Sequence, residues 1–452
     1  MDLLPLFNEK EGLTMNTYSE AISWIHSQLK YGINLGLARM EWLLKELGNP
    51  EMKLKAIHVA GTNGKGSTVT FLRSILNEAG YDVGTFTSPY IETFNERISI
   101  NGSPISDDEL IELTRVIKPL AEELKKGEWG PPTEFEIITA MALYYFGNIR
   151  QVDFTTLEVG LGGRYDSTNI IQPLAGIITN IGKDHINILG DTIGKIAYEK
   201  AGIIKEGIPV FTGAKQREAL SVIREETEKK QAVLFQLGSD FSIENNESIP
   251  SGEKFTFQSK ETTYENLKLS LLGRHQTENA ALAVASLLYM KEKKLLQLHE
   301  KDIRAGLKKA YWPGRMEVLR EHPTVILDGA HNAEGLEAFL STMKERYSKR
   351  KVQVIFAALE DKDLPHMLPL FKKINAKVTF TEFDFPRAAN ALKLKEIAKI
   401  EDAAIESNWR SLAERIVSEL HPEDVLAVTG SLYFISEVKP FIVELLREKY
   451  QI

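Results

Sequence analysis

The sequence predicts an α/β protein with mainly parallel sheets. Short apolar runs alternate with helix-length amphipathic segments over most of the chain, and one such run passes through a glycine-rich turn directly into a helix. In order, the candidate strands are 56–59, 155–159, 176–179, 325–327, 352–356 and 425–428. Helices are expected between them over 67–79, 192–201, 333–348 and 411–420, where apolar residues recur at helical spacing. Residues 253–271 alternate polar and apolar side chains, which predicts a small antiparallel region, and 273–292 reads as an alanine-rich helix. At Tyr311-Trp312-Pro313-Gly314 a turn signal breaks the pattern, and a new strand–helix series follows. The expected division is therefore 1–311 and 312–452.

A chain of 452 residues is long enough for two or three domains, each with its own core. The net charge of −8 argues against nucleic acid as the main partner but leaves room for a local anion site. With no cysteine, a disulfide framework, a thiolate zinc site and a cysteine nucleophile are all excluded. The start, MDLLPLFNEKEG, lacks the basic and apolar regions of a secretory leader, and no apolar run approaches the length of a membrane span. The expectation is a cytoplasmic protein without membrane contact.

The most informative segment runs from Ala56 to Thr68, an apolar strand followed by Gly61-Thr62-Asn63-Gly64-Lys65-Gly66-Ser67-Thr68 at the start of a helix. Glycines let successive N–H groups turn toward phosphate oxygens, and the helix adds its positive end. Lys65 can neutralise β/γ-phosphate charge, and the Ser67 hydroxyl can sit on magnesium. The loop departs from the usual G-x-x-x-x-G-K-[ST] pattern: Val59 replaces the first glycine, and Gly66 separates lysine from serine. His58 beside it reads as a core histidine. Gly160-Leu161-Gly162-Gly163-Arg164-Tyr165 approximates a dinucleotide fingerprint but ends in tyrosine, so nicotinamide binding is rejected.

Two further residues stand at strand ends, where α/β proteins place ligands. Glu158 could bind magnesium, which takes few protein ligands and keeps waters. For His185, chemistry alone favours a structural or phosphate-contacting role. Arg315 suits phosphate as a rigid fork of donors. Asp328 could meet a ribose hydroxyl or a ligand amine.

The loop resembles that of the Mur ligase superfamily, and later motifs sharpen the likeness to folylpolyglutamate synthase. They are Thr87-Ser88-Pro89-Tyr90 with Asn95-Glu96-Arg97, Glu158-Val-Gly-Leu-Gly-Gly-Arg164-Tyr165-Asp166-Ser167-Thr168-Asn169, Asp184-His185, Glu199-Lys200-Ala-Gly202, Gly273-Arg-His275-Gln276 with Asn279, Trp312-Pro-Gly314-Arg315, Asp328-Gly-Ala-His331-Asn332 and Thr429-Gly430-Ser431. They span nearly the whole chain.

The resemblance implies a Mur-ligase-type P-loop ATPase domain followed by a smaller Rossmann-like domain. It implies ATP-dependent addition of L-glutamate to a folate γ-carboxyl through an acyl phosphate, with dihydropteroate as a second acceptor. The cofactors would be ATP and Mg2+, with a monovalent cation such as K+ as an optional addition, and the protein would act as a monomer. Ser67 and Ser88 would serve one magnesium, and Glu158 and His185 a second. Lys200 would be carbamylated, which turns a cation into a further magnesium-organising carboxylate. Lys65, Lys200 and His185 are thus the candidate catalytic residues, and the resemblance reverses the bland reading of His185. Asn279, Arg315, Asp328 and His331 would complete the ATP site. Thr133, Phe135, Tyr165, Asp166 and Ser167 would line the pterin. Two other readings fit parts of the pattern: a cell-wall Mur ligase, against which the missing N-terminal UDP-binding domain argues, and a nucleotide-driven switch, from which glutamate-dependent ADP release would separate a ligase.

Overall fold

A computed structural model describes residues 15–450; the N-terminal stretch MDLLPLFNEKEG, in which no leader is expected, lies outside them. The first sheet has eight strands. In spatial order they are Ser103–Pro104, Ile98–Ile100, Val83–Phe86, Phe154–Glu158, Ala56–Ala60, Ala175–Ile178, Val210–Thr212 and Leu234–Gln236. Ile98–Ile100 pairs antiparallel with both its neighbours, and every other pairing in the sheet is parallel. Ala56–Ala60 lies at the centre and is buried throughout. Its register, Val59 opposite Glu158 and Ala60 opposite Ile178, brings three strand ends to one edge.

Every position of the central strand is covered because helices pack on both faces, which is why these strands read as mostly apolar runs without a polar face. The helix Lys65–Glu78 covers one face with Val69, Leu72, Ile75 and Leu76, all inside the core. The helices His275–Glu292 and Glu300–Lys309 pack over it. The fit at the second crossing is tight: a Cβ at Gly306 would lie 2.5 Å from Ile75 Cα. Truncating Leu72 to alanine would open a core cavity at a cost of about 2–5 kcal/mol.

The expected antiparallel region is a three-stranded sheet, Phe241–Ile249, Gly252–Ser259 and Thr263–Leu269. A six-stranded sheet follows, in the order Glu317–Glu321, Thr324–Asp328, Val425–Thr429, Val352–Phe356, Ala376–Glu382 and Ala404–Asn408. Only its first strand is antiparallel.

The three-stranded sheet is tied to the last turn of the helix Ala333–Tyr347. Arg346 there donates to the Ile249 carbonyl at 2.9 Å, to the Gly252 carbonyl and to Glu253 at 2.6 Å. Glu253 is fully buried and also accepts from the Gly273 amide at 2.7 Å and the Ser248 hydroxyl at 2.7 Å, so its charge is met from several sides. Removing one partner of such a pair strands the other, at a cost of about 3–5 kcal/mol.

Candidate functional site

The carboxyl ends of the two larger sheets face one cavity of about 440 Å³. From the first sheet it is lined by Gly61, Thr62, Asn63, Gly64, Lys65, Gly66, Ser67, Ser88, Glu158, His185 and Lys200. Asn279 adds a helix side chain, and Arg315, Asp328 and His331 come from the second sheet's side. Thr68, Thr133, Phe135, Tyr165, Asp166 and Ser167 do not line it.

The phosphate loop is shaped by close approaches. Gly64 caps the helix Lys65–Glu78 with φ of 83°, and a Cβ there would meet Asn279 Oδ1 at 2.3 Å. Gly61 lies so close to Thr179 that a Cβ would fall 1.8 Å from its Oγ1. Thr179 in turn donates to the Asn63 carbonyl at 2.6 Å. Gly66 carries no side chain because Trp312 packs against it, 2.8 Å from where a Cβ would stand.

Two lysines converge on this loop. Lys65 Nζ donates to the carbonyls of Gly61 at 3.1 Å and Thr62 at 3.3 Å, and Lys200 Nζ donates to the same Gly61 carbonyl at 3.0 Å. Lys200 is buried; burial first, and then the Lys65 charge, pull its pKa down to about 7. That makes it an amine poised near neutrality rather than a fixed cation.

Glu158 ends its strand with the carboxyl buried, which raises its pKa against the pull of Lys65 and Arg315. Its one hydrogen bond is a 3.4 Å contact from the Ser88 amide. A buried carboxylate with spare lone pairs that shares the cavity with Ser67 and Ser88 matches the oxygen donors that magnesium takes. The set expected around His185 and Lys200 fits less well. Lys200 was expected to serve only as its carbamate, and among the described residues no three His, Cys, Asp or Glu side chains gather as a metal group.

His185 has φ of 50°, a conformation that costs a non-glycine residue roughly 1–2 kcal/mol. Burial drives its pKa down to about 4. Asp184 beside it forms the junction between the halves. It accepts from Lys362 Nζ at 2.8 Å and Asn332 Nδ2 at 3.1 Å, with His331 Nε2 at 3.5 Å. Burial alone would raise its carboxyl, but the His331 hydrogen bond and the Lys362 charge hold it well below the ordinary range. Asn332 also exchanges two amide hydrogen bonds with Asn63 of the phosphate loop, at 2.9 and 3.2 Å. The sequence reading left Lys362 out. Its signal was position, in the loop just beyond the strand Val352–Phe356.

Several expected contacts have another occupation. Thr68 is buried and its hydroxyl donates to the Gly64 carbonyl at 2.9 Å, so it braces the loop instead of facing the cavity. Thr133 caps the helix Glu134–Tyr144, accepting from the Glu136 amide at 3.2 Å while its own amide donates to Glu136 at 2.7 Å. Phe135 packs on Gly160, its ring 2.4 Å from where a Cβ would be. Tyr165 is half exposed, whereas Ser167 is buried. Asp166 is buried within its own loop, accepting from the Leu161 amide at 2.8 Å, the Thr168 amide at 3.0 Å and the Thr168 hydroxyl at 2.5 Å. Asp328 accepts from the Met316 and Ala330 amides at 2.8 and 2.9 Å and thereby fixes the turn that presents Arg315.

A variant phosphate loop that shares one cavity with a second, mainly parallel sheet defines a Mur-ligase-type α/β protein. The family described as Mur ligase middle domain matches residues 132–287, and that described as Mur ligase, glutamate ligase domain matches 314–432. A dihydrofolate synthase/folylpolyglutamate synthase of Bacillus subtilis (strain 168) is 49% identical over 422 residues, covering 93% of this chain and 98% of that one. A Mycobacterium tuberculosis folylpolyglutamate synthase complexed with ADP and AMPPCP superposes with a TM-score of 0.86 at 29% identity, covering 94% and 99%. E. coli FolC in complex with DHPP and ADP gives 0.83 at 30% identity, covering 93% and 97%. The chain belongs to the dihydrofolate synthase/folylpolyglutamate synthase family.

Proposed function

We propose that this protein is an ATP-dependent ligase that adds L-glutamate to the γ-carboxyl of a reduced folate, and to dihydropteroate by the same chemistry. The observation that carries the reading is the single cavity holding Lys65, Lys200, Glu158 and Arg315 together. An amide does not form from a carboxylate and an amine in water without activation. Transfer of the γ-phosphoryl group to the acceptor carboxylate gives an acyl phosphate, which the glutamate amine then attacks with loss of phosphate.

In this reading the loop amides and Lys65 hold the phosphates and take up the charge that develops during transfer. Glu158 with Ser67 and Ser88 would hold magnesium, which supplies electrophilic pull on the phosphoryl oxygens. Lys200, close to neutral in its buried setting, suits carbamylation, since only the free amine adds carbon dioxide. Asn279 contacts the nucleotide from beside the phosphate loop, and Arg315 and His331 from the far side. Residues 1–311 form the ATP-binding half and 312–452 the half that closes over it. Names borne by the similar proteins support the folate acceptor, and the complexes with ADP and AMPPCP support the nucleotide.

The deciding experiment is ADP release by the purified protein against reduced folates, dihydropteroate and muramyl precursors, with and without glutamate. Glutamate-dependent release with a folate is expected. Release only with muramyl precursors, or release independent of any acceptor, would overturn the reading.

A further inference from the structure

The phosphate-loop strand is joined to the Gly160–Asn169 loop by a buried chain of hydrogen bonds that neither the phosphates nor the metal site requires. His58 sits in the middle of Ala56–Ala60 with no exposure. Its Nε2 lies 2.8 Å from Thr168 Oγ1. The Thr168 hydroxyl has one proton, and that proton goes to Asp166 Oδ1 at 2.5 Å. His58 must therefore donate from Nε2, which makes Nδ1 the bare acceptor; Nδ1 has no partner. Burial pushes the imidazole pKa down to about 3, so it stays a neutral, fixed donor at any physiological pH. At the other end of the chain, Asp166 Oδ2 accepts from the Leu161 amide at 2.8 Å. Gly160, Leu161 and Gly162, which line the cavity just after Glu158, are thereby tied to the strand that carries the phosphate loop.

We propose that His58 is a positioning residue: through Thr168 it fixes Asp166 and the Gly160–Gly162 turn, and so sets the cavity wall that the acceptor meets beside the phosphate loop. This rests on the ligase reading above. A histidine whose only task was to fill the core would serve as well with an apolar ring in its place, and the strand is already held by two parallel neighbours. What the imidazole adds is one directed donor toward Thr168.

The test uses His58→Phe, His58→Gln and Thr168→Val in the full chain. Glutamine can place an N–H near the Nε2 position, and valine keeps the shape of threonine without its hydroxyl. His58→Phe and Thr168→Val are expected to raise KM for the folate acceptor about tenfold, the equivalent of one directed hydrogen bond. KM for ATP should move less than about twofold, and His58→Gln should recover most of the loss. Hydrogen exchange should show faster amide exchange over 160–169 in the first two variants and near wild-type protection in the third. Wild-type protection over 160–169 in His58→Phe and Thr168→Val overturns the proposal whatever the activity. So does a fall in thermal stability with both KM values unchanged, or an equal rise in both. If the wild type uses no folate at all, the ligase reading fails, and the exchange measurement still decides whether the clamp exists.

Discussion

Glu158→Gln separates a metal-holding carboxylate from a structural one, because the two roles give opposite signs in the protein without ligand. The Glu158 carboxyl is buried with one long hydrogen bond, and its pKa is raised by burial. A group raised in the fold is relatively favourable below its unfolded pKa of about 4.3 and loses that contribution as pH rises through the folded value. At pH 7 it therefore weighs against folding, with Lys65 and Arg315 offsetting part of the cost. Replacing it by the neutral isostere removes a desolvation penalty on the order of 1–3 kcal/mol. For domains of this size that raises the apo melting temperature by roughly 2–4 °C per kcal/mol. Saturating magnesium nucleotide should reverse the order. At a hundredfold excess over Kd the wild type gains about 2.7 kcal/mol, and the variant gains much less. The assay is a thermal melt at pH 7 with and without magnesium and AMPPCP. An apo variant that melts several degrees lower, with a wild-type response to magnesium nucleotide, would refute the reasoning and make Glu158 structural.

Three further outcomes follow from the same geometry. Lys65→Ala should lower turnover about a hundredfold or more while leaving the circular dichroism spectrum unchanged, and wild-type turnover in the folded variant would remove Lys65 from phosphate chemistry. Because Lys200 is lowered to about 7, its free amine grows as pH rises through 7. Turnover should climb from pH 6 to 8 and added bicarbonate should lift it most at the acid end; a flat response, with no mass gain on Lys200 in the native protein, counts against carbamylation. Gly64→Ala forces a side chain into a left-handed position against Asn279. It should weaken nucleotide binding at least tenfold by calorimetry, and unchanged affinity would show that the loop can shift at little cost.

The strands around the phosphate loop were legible because each is buried along its length and mostly apolar. Ala56–Ala60, Ala175–Ile178 and Val352–Phe356 fall within about two residues of their expected bounds. Val210–Thr212 and Leu234–Gln236 were missed because three residues at the sheet's far side carry no period to read. In the site, motif chemistry pointed to Lys65, Glu158, His185 and Lys200, all of which line the cavity. It could not show that Asp166 and Asp328 spend their oxygens on backbone amides, because that depends on how each loop folds back on itself. Nor could it pair Lys362 with Asp184 or Asn332 with Asn63, since those partners stand far apart in the chain and meet only when both sheets are in place.

That last pair has a consequence during synthesis. Asn332 follows Asn63 by 269 positions. At about 5–20 residues per second, the ribosome makes the phosphate loop roughly 13–55 seconds before its opposing wall. Once Lys200 has been made, and until Arg315 follows, the nascent chain carries Lys65, Glu158 and Lys200 on an open edge with no Arg315, His331 or Lys362 across from them. A nucleotide that reached this half-built cradle would meet phosphate-binding groups but no closed chamber to exclude water. Activation of a carboxylate thus waits for a late part of the chain, and a growing polypeptide is not expected to spend ATP.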